Sequence, residues 1–252
     1  MPMHSYPMPD VSVDVVVFTL IANRLHVLLS LREGAPYAGF LALPGGYVHE
    51  GEDENTDATA RRVLAVKAGL HVPYMEQLQT FSGKSRDPRG WSLSVAYTAV
   101  VPSDTLYLAH RDATCYREGW VLGGMEGNQK PGVMDFTKCY DRLVPVDMLP
   151  ELPFDHASIV ATGVARLRSK GAYSTLPLFL LPDTFTFREA HETYEAVMGM
   201  ALDKVTFRRR IESQGLVTPT GGMSQPEGGG RPAQRYRKGT DGLVELDAML
   251  SR

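Results

Sequence analysis

Cysteine is nearly absent from this chain, with only Cys115 and Cys139 in 252 residues. That excludes a disulfide scaffold, suits a reducing cytoplasm and leaves at most one bridge open. No apolar run approaches the length of a membrane span. Residues 1–10 lack a basic segment followed by an apolar core, so no secretory signal is expected. Charge of one sign is lacking too: the net charge is −3, and bulk charge singles out no partner. What remains is a soluble, cytoplasmic globular protein. An apolar fraction of 43% supports a real core, and the length suits one large or two modest domains.

A more local absence carries more information. The chain reads Leu43-Pro44-Gly45-Gly46-Tyr47-Val48, then Gly51-Glu52, then Arg62-Val63-Leu64-Ala65-Val66-Lys67-Ala68-Gly69-Leu70. This resembles the Nudix box, a glycine loop and helix that hydrolyse nucleoside diphosphates linked to another group. In that family a glutamate follows the second glycine six residues on, and an Arg-Glu-apolar-x-Glu-Glu-x-Gly ending comes later. Gly46 and Glu52 keep the first spacing, and Arg62 and Gly69 keep the second. Val63, Val66 and Lys67 stand where the carboxylates belong. Positions 63, 66 and 67 share one helix face. Three carboxylates there would hold Mg²⁺, which prefers oxygen ligands and activates water. Two valines and a lysine cannot. Glu50, Glu52, Asp53 and Glu54 lie upstream in a loop of different geometry, longer than the family's by about two residues. The expectation is no efficient metal-dependent hydrolysis, with weak residual activity left open.

Residues 11–20 are β-branched and predict a buried strand; 24–31 predict its partner, turned at Ala22-Asn23. A helix is predicted over 57–68, ended by Gly69. Two more strands are expected at 75–81 and 92–101, with a polar loop at 83–90 between them. Residues 115–140 crowd glycines without periodicity and are read as an inserted surface loop. The first 150 residues therefore predict an α/β domain, a mixed sheet with helices.

After Pro150 the pattern is helical. Residues 155–169 carry apolar positions 159, 160, 164 and 167 on one face, with Asp155 as expected N-cap. Asp155-His156 reads as a structural helix start rather than a metal site, because no second His or Cys stands at ligand spacing. Thr186 with Glu189 predicts a capping box. A helix to about Met198, a turn at Gly199, a second helix over 203–213 and a hairpin with a glycine tip at 221–230 have the layout of an α+β winged helix-turn-helix. Residues 203–238 hold Lys204, Arg208, Arg209, Arg210, Arg231, Arg235, Arg237 and Lys238 against Asp203, Glu212 and Glu227, a basic footprint. On the second helix, Phe207 and Ile211 would face the core. Lys204, Thr206, Arg208, Arg209 and Arg210 would then face double-stranded DNA. Arg231 at the hairpin tip and Arg235 on its returning strand complete the expected DNA-binding set.

Both halves resemble one family, the Nudix-related transcriptional regulators of NAD metabolism, NrtR. The carriers are Ala42-Leu43-Pro44-Gly45-Gly46, Arg86-Asp87-Pro88-Arg89-Gly90 and Ser94-Val95-Ala96-Tyr97 in the first half. In the second they are Leu152-Pro153-Phe154-Asp155-His156-Ala157, Asp203-Lys204 with Phe207-Arg208-Arg209, and Gly230-Arg231-Pro232-Ala233-Gln234 with Tyr236. The resemblance implies an effector domain at 1–150, and a linker helix with a DNA-binding domain at 151–252. It also implies a homodimer that represses NAD genes from a palindromic operator, and an ADP-ribose-type nucleotide as effector, with no cofactor required. The expected effector contacts are Arg32, Gly45, Gly46, Tyr47, Glu52, Arg62, Lys67, Arg86 and Arg89.

Individual roles stay open at this stage. Lys67 either points inward, placing a fixed cation where a metal would sit, or snorkels to solvent. Arg62 is a phosphate partner or braces the glycine loop through a carboxylate. Arg86 and Arg89 sit on a loop that closes over the ligand, or they form turn-stabilising ion pairs. Phe40 or Tyr47 stacks on adenine, or packs in the core. Two rival functions compete with the sensor: an active ADP-ribose pyrophosphatase with an accessory C-terminal domain, and a DNA-binding protein with an inert scaffold.

Overall fold

The β-branched run becomes the middle of a seven-stranded mixed sheet. The structure is a computed structural model and describes residues 8–106, 141–224, 231–248 and 250. β1 (Asp10–Ile21) turns into β2 (Arg24–Leu31) through Ala22 and Asn23. Their φ angles, 49° and 58°, are those a two-residue type I′ hairpin needs. The sheet order is β3 (Leu41–Ala42), β2, β1, β6 (Gly90–Val100), β5 (Tyr74–Asp87). β4 (Gly45–Tyr47) pairs with β1, and β7 (Asp141–Pro145) pairs with β2. β1 and β6 run parallel; the other pairs run antiparallel.

Strand alternation sorts the side chains of β1 into two layers. Val13, Val15 and Val17 bury against Ala60, Leu64 and Ala68 of α1 (Thr56–Ala68). Val16 and Phe18 bury on the opposite face against Ile159, Val160 and Leu167 of α2 (His156–Gly171). Gly163 lets α2 come this close, since a Cβ there would lie 3.1 Å from the Phe18 ring. By parity Asp14 shares the α2 face, so β1 carries one carboxylate into an otherwise apolar layer. α1 begins at Asn55, whose side chain accepts the Ala58 N–H, and ends at Gly69 with a left-handed φ of 60°.

The expected loop at 83–90 is instead strand. β5 continues to Asp87 and β6 starts at Gly90, so Pro88-Arg89 alone turns the chain. An irregularity between Gly83 and Asp87 breaks the alternation that marks a strand in sequence. Asp155 stands at the expected N-cap position but makes no side-chain capping bond; its carboxylate accepts from Arg86 instead.

The second unit follows α2 through a buried 3₁₀ turn, Leu176–Leu180. β8 (Phe185–Thr186) leads into α3 (Phe187–Met198), then α4 (Lys204–Ser213), β9 (Val217–Ser224) and β10 (Ala233–Lys238). The three strands pair in the order β8-β10-β9. The capping box of Thr186 and Glu189 forms as its spacing predicts. Phe207 and Ile211 bury against Phe185, Tyr194, Leu216 and Tyr236. Helix, turn, helix and hairpin make a winged helix. β9 extends to Ser224, so Gly221 and Gly222 belong to a strand rather than a tip. Val197 of α3 joins the cluster that holds Phe18 and Leu167, so the two units share apolar packing through α2. The insertion expected at 115–140, with both cysteines, and positions 225–230 lie outside the described residues. Among the described residues no helix is long and apolar enough to cross a membrane.

Candidate functional site

The glycine loop is set by what surrounds it. A Cβ on Gly45 would overlap the Asp14 carboxylate and lie 2.9 Å from the Val13 carbonyl, so no larger residue fits β4 beside β1. Val63 packs beneath Gly46, within 3.1 Å of where its Cβ would stand. Val63 is thus core, only 2% exposed. Arg62 braces the loop: its guanidinium donates to both oxygens of Asp53, at 2.7 and 2.6 Å, and to the Tyr47 carbonyl at 2.9 Å. Asp53 also accepts from the His49 N–H and the Thr59 hydroxyl. The Arg62 hydrogen bonds, aided by these, hold its carboxyl well below the usual range despite burial.

Above the loop lies a cavity of about 570 Å³, in the range of small-molecule sites. Arg32, Gly45, Gly46, Tyr47, Val66, Lys67, Arg86 and Arg89 all line it. Lys67 points inward, its ammonium donating to the Gly45 carbonyl. Burial lowers the Lys67 pKa; the Arg32 charge lowers it further, and Asp14 draws it back. Burial likewise lowers that of Arg32, with Arg89 adding repulsion. Arg89, by contrast, is raised by its hydrogen bonds to Asp87, so Lys67 and Arg32 are the cations left under strain in the cavity, a setting that favours an anion. Arg32 stacks 4.9 Å over the Phe154 ring, and Arg89 lies 5.8 Å over Tyr47.

The cavity floor is an ionic network. Arg86 donates to Asp14 at 2.7 Å and to Asp155 at 3.0 Å, with its side chain only 7% exposed. Asp14 also accepts the Ser94 hydroxyl at 2.7 Å. The His156 Nδ1 accepts the Leu43 N–H at 3.0 Å, and its Nε2 lies 3.5 Å from Asp14. Burial alone would raise the Asp14 carboxyl; His156, Ser94 and Arg86 together bring it down to about 2. Residues from β1, β5, β6 and the start of α2 therefore meet at one carboxylate. Asp14 and Phe154 had escaped sequence reasoning. The available signal for Asp14 was a lone charge inside the β-branched run; Phe154 had none beyond its neighbours.

The structure separates the remaining candidates. Glu52 lies outside the cavity lining and pairs with His49 at 3.0 Å; Arg62 lies outside it behind the loop. Arg86 and Arg89 do not ride a mobile loop: Arg86 is on β5, and Arg89 is tied to Asp87 at the hairpin turn. Tyr47 and Phe40 are exposed rather than packed in the core, and only Tyr47 borders the cavity. Lys67 and Val66 reach the cavity while Val63 is buried, so the three positions do not form one open face. Val66 and Lys67 present an apolar side chain and an ammonium to the cavity, and neither can ligate Mg²⁺. Among the described residues no three His, Cys, Asp or Glu side chains converge on a metal position.

On the winged helix, Asp203 caps α4 by accepting the Thr206 N–H at 2.8 Å. Lys204, Arg208 and Arg209 are exposed, opposite Phe207 and Ile211. Arg208 bonds Glu212 at 3.0 Å and stacks 4.8 Å over Phe187. Arg210 bonds the Ala248 carbonyl, and Arg235 bonds Thr184 on the strand side. Arg231 is exposed beside the hairpin tip.

An α/β domain with a cation-lined cavity, joined by a helix to a winged helix, defines the class of effector-sensing transcription regulators. Comparison with known proteins gives the particular family. Residues 177–237 match the family profile described as the NrtR DNA-binding winged helix domain. The chain is 34% identical over 234 residues to the ADPR responsive transcriptional repressor NtrR of Acinetobacter baylyi, covering 92% of this chain and 83% of that one. It is 33% identical over 155 residues to the ADP-ribose pyrophosphatase of Methanocaldococcus jannaschii, covering 62% of this chain and 73% of that enzyme. The crystal structure of Shewanella oneidensis NrtR with a 27mer DNA superposes with a TM-score of 0.78 at 30% identity, over 96% of this chain and 99% of that chain. The chain belongs to the NrtR family.

Proposed function

We propose that this protein is an ADP-ribose-responsive repressor whose Nudix-like cavity reads the nucleotide without cleaving it. Residues 1–150 form the effector domain. Residues 151–252 form the linker helix and the DNA-binding domain of a cytoplasmic homodimer that acts on NAD metabolism genes. The observation that carries this reading is Lys67. Its ammonium is fixed to the glycine loop inside the cavity, on the helix position where hydrolysis needs a carboxylate. With Arg32 and Arg89 it offers a diphosphate several cations and no means of activating water. Lys204, Thr206, Arg208, Arg209, Arg210, Arg231 and Arg235 supply the DNA-facing set, and two-fold symmetry predicts a palindromic operator.

Regulation requires that the nucleotide favour one arrangement of α2 and the winged helix over another. The floor network offers the linkage. A ligand drawn to Lys67 and Arg32 lies beside Asp14 and Arg86. These hold Asp155 and His156 at the start of α2, while Val197 of α3 packs in the same apolar cluster as α2.

A gel shift with the chain's own upstream genomic DNA tests the proposal. Specific binding, weakened by salt, is expected to change strongly on adding ADP-ribose. Unchanged affinity would remove the sensor role. Rapid AMP release with Mg²⁺, abolished in Glu52→Gln, would favour the pyrophosphatase reading that the retained glycine loop and Glu52 keep open.

A further inference from the structure

The exposed face of α4 is not uniformly available to DNA. Arg208 is held by Glu212, Phe187 and the Tyr236 hydroxyl. Arg210 reaches back to the Ala248 carbonyl. Thr206 is half-buried, its backbone N–H donated to the capping carboxylate of Asp203. The Arg209 side chain is tied by no hydrogen bond or ion pair among the described residues, its charge acting only on the neighbouring Asp203. Beside it, one turn earlier, stands Val205, 76% exposed in the first turn of a helix otherwise polar on that side. Both border the same shallow, open groove. An exposed β-branched residue there does nothing for folding, because its side chain meets no core cluster.

We infer that Val205 and Arg209 form a base-reading pair, selecting a thymine methyl group and a guanine in each half-site; this rests on the DNA-binding reading above. The geometry follows from the helix. Residues four apart are neighbours on one face, displaced by about 6 Å along the axis. That spans adjacent or next-but-one base pairs in the major groove. Guanine offers O6 and N7 to a guanidinium, and thymine offers its C5 methyl to an apolar side chain. A valine in the first turn is placed for the methyl, since the N-terminal part of a recognition helix faces the bases. Arg208 and Arg210 are already engaged within the protein.

The test uses the full-length protein and the duplex that it enriches from a random pool. Each thymine of the half-site is replaced in turn by deoxyuridine, which removes only the methyl group. At one position the wild type is expected to lose roughly three- to fivefold in affinity, the effect of one methyl group's burial. Val205→Ala is expected to bind both duplexes equally. At a guanine within two base pairs, 7-deazaguanine is expected to cost the wild type roughly tenfold and Arg209→Ala nothing further. If no thymine shows a Val205-dependent loss, or the guanine effect survives in Arg209→Ala, the pair is not the reader. If the wild type enriches no sequence, the DNA-binding reading fails and this inference falls with it. Val205 is exposed, so its alanine variant is expected to melt like the wild type.

Discussion

Lys67 and Asp14 set the behaviour of the cavity at the scale of single residues. Lys67→Met keeps the apolar stem and removes the charge, and titration calorimetry should then show ADP-ribose binding weakened by about tenfold, a charge-assisted contact. The pH dependence has a definite sign. Anion binding needs the ammonium, which is complete below its lowered pKa, so affinity should fall as pH rises through that value and earlier than for an ordinary lysine. Lys67→Met should lack this alkaline loss. Asp14 acts on stability. Its folded pKa of about 2 lies below the unfolded value of 3.8. The stabilisation is therefore present above pH 4 and is lost as pH falls towards 2. Asp14→Asn should cost about 3 kcal/mol in urea unfolding near neutrality, since it leaves Arg86 short of a buried partner. It should also flatten the acid limb of the stability curve.

At the scale of elements, α2 is the piece that touches both functions. Its first residues belong to the cavity floor, and its apolar face shares a cluster with α3. Asp155 stands between them: it binds Arg86 but does not line the cavity, and its second oxygen is buried without a hydrogen-bond partner. Asp155→Ala should therefore leave ADP-ribose affinity near wild type while shrinking the nucleotide's effect on operator binding, measured as the ratio of the two DNA dissociation constants. Equal ratios in the two proteins would exclude this route. The elements themselves were largely legible in sequence. The Thr186 and Glu189 capping box, Gly69 and Gly199 as helix stops, and the Phe207–Ile211 stripe are local signals, and local chemistry decides them. The 83–90 hairpin was hidden because an irregular register removes the period of two. The floor network was hidden for a different reason: the parallel pairing of β1 with β6 sets Asp14 near Ser94, β5 beside β6 supplies Arg86, and the start of α2 supplies Asp155, and no short window of sequence displays these contacts.

For the whole molecule, the arrangement joins a site for a small anion to a surface for a large polyanion, with like-charged cations on both. The two are kept distinct by how those cations are held. In the cavity they act on one another's charge around a carboxylate; on α4 they lie on an open face, with Arg208 and Arg210 drawn into local partners. This explains why the overall charge of −3 conceals both sites. The cavity charges have one more consequence. A metal ion is borrowed from a pool shared with every phosphate in the cell, and its occupancy rises and falls with that pool. An ammonium carried on Lys67 comes with each chain in fixed ratio. On the function proposed above, a sensor built this way has its threshold written into its own sequence rather than into a metal pool.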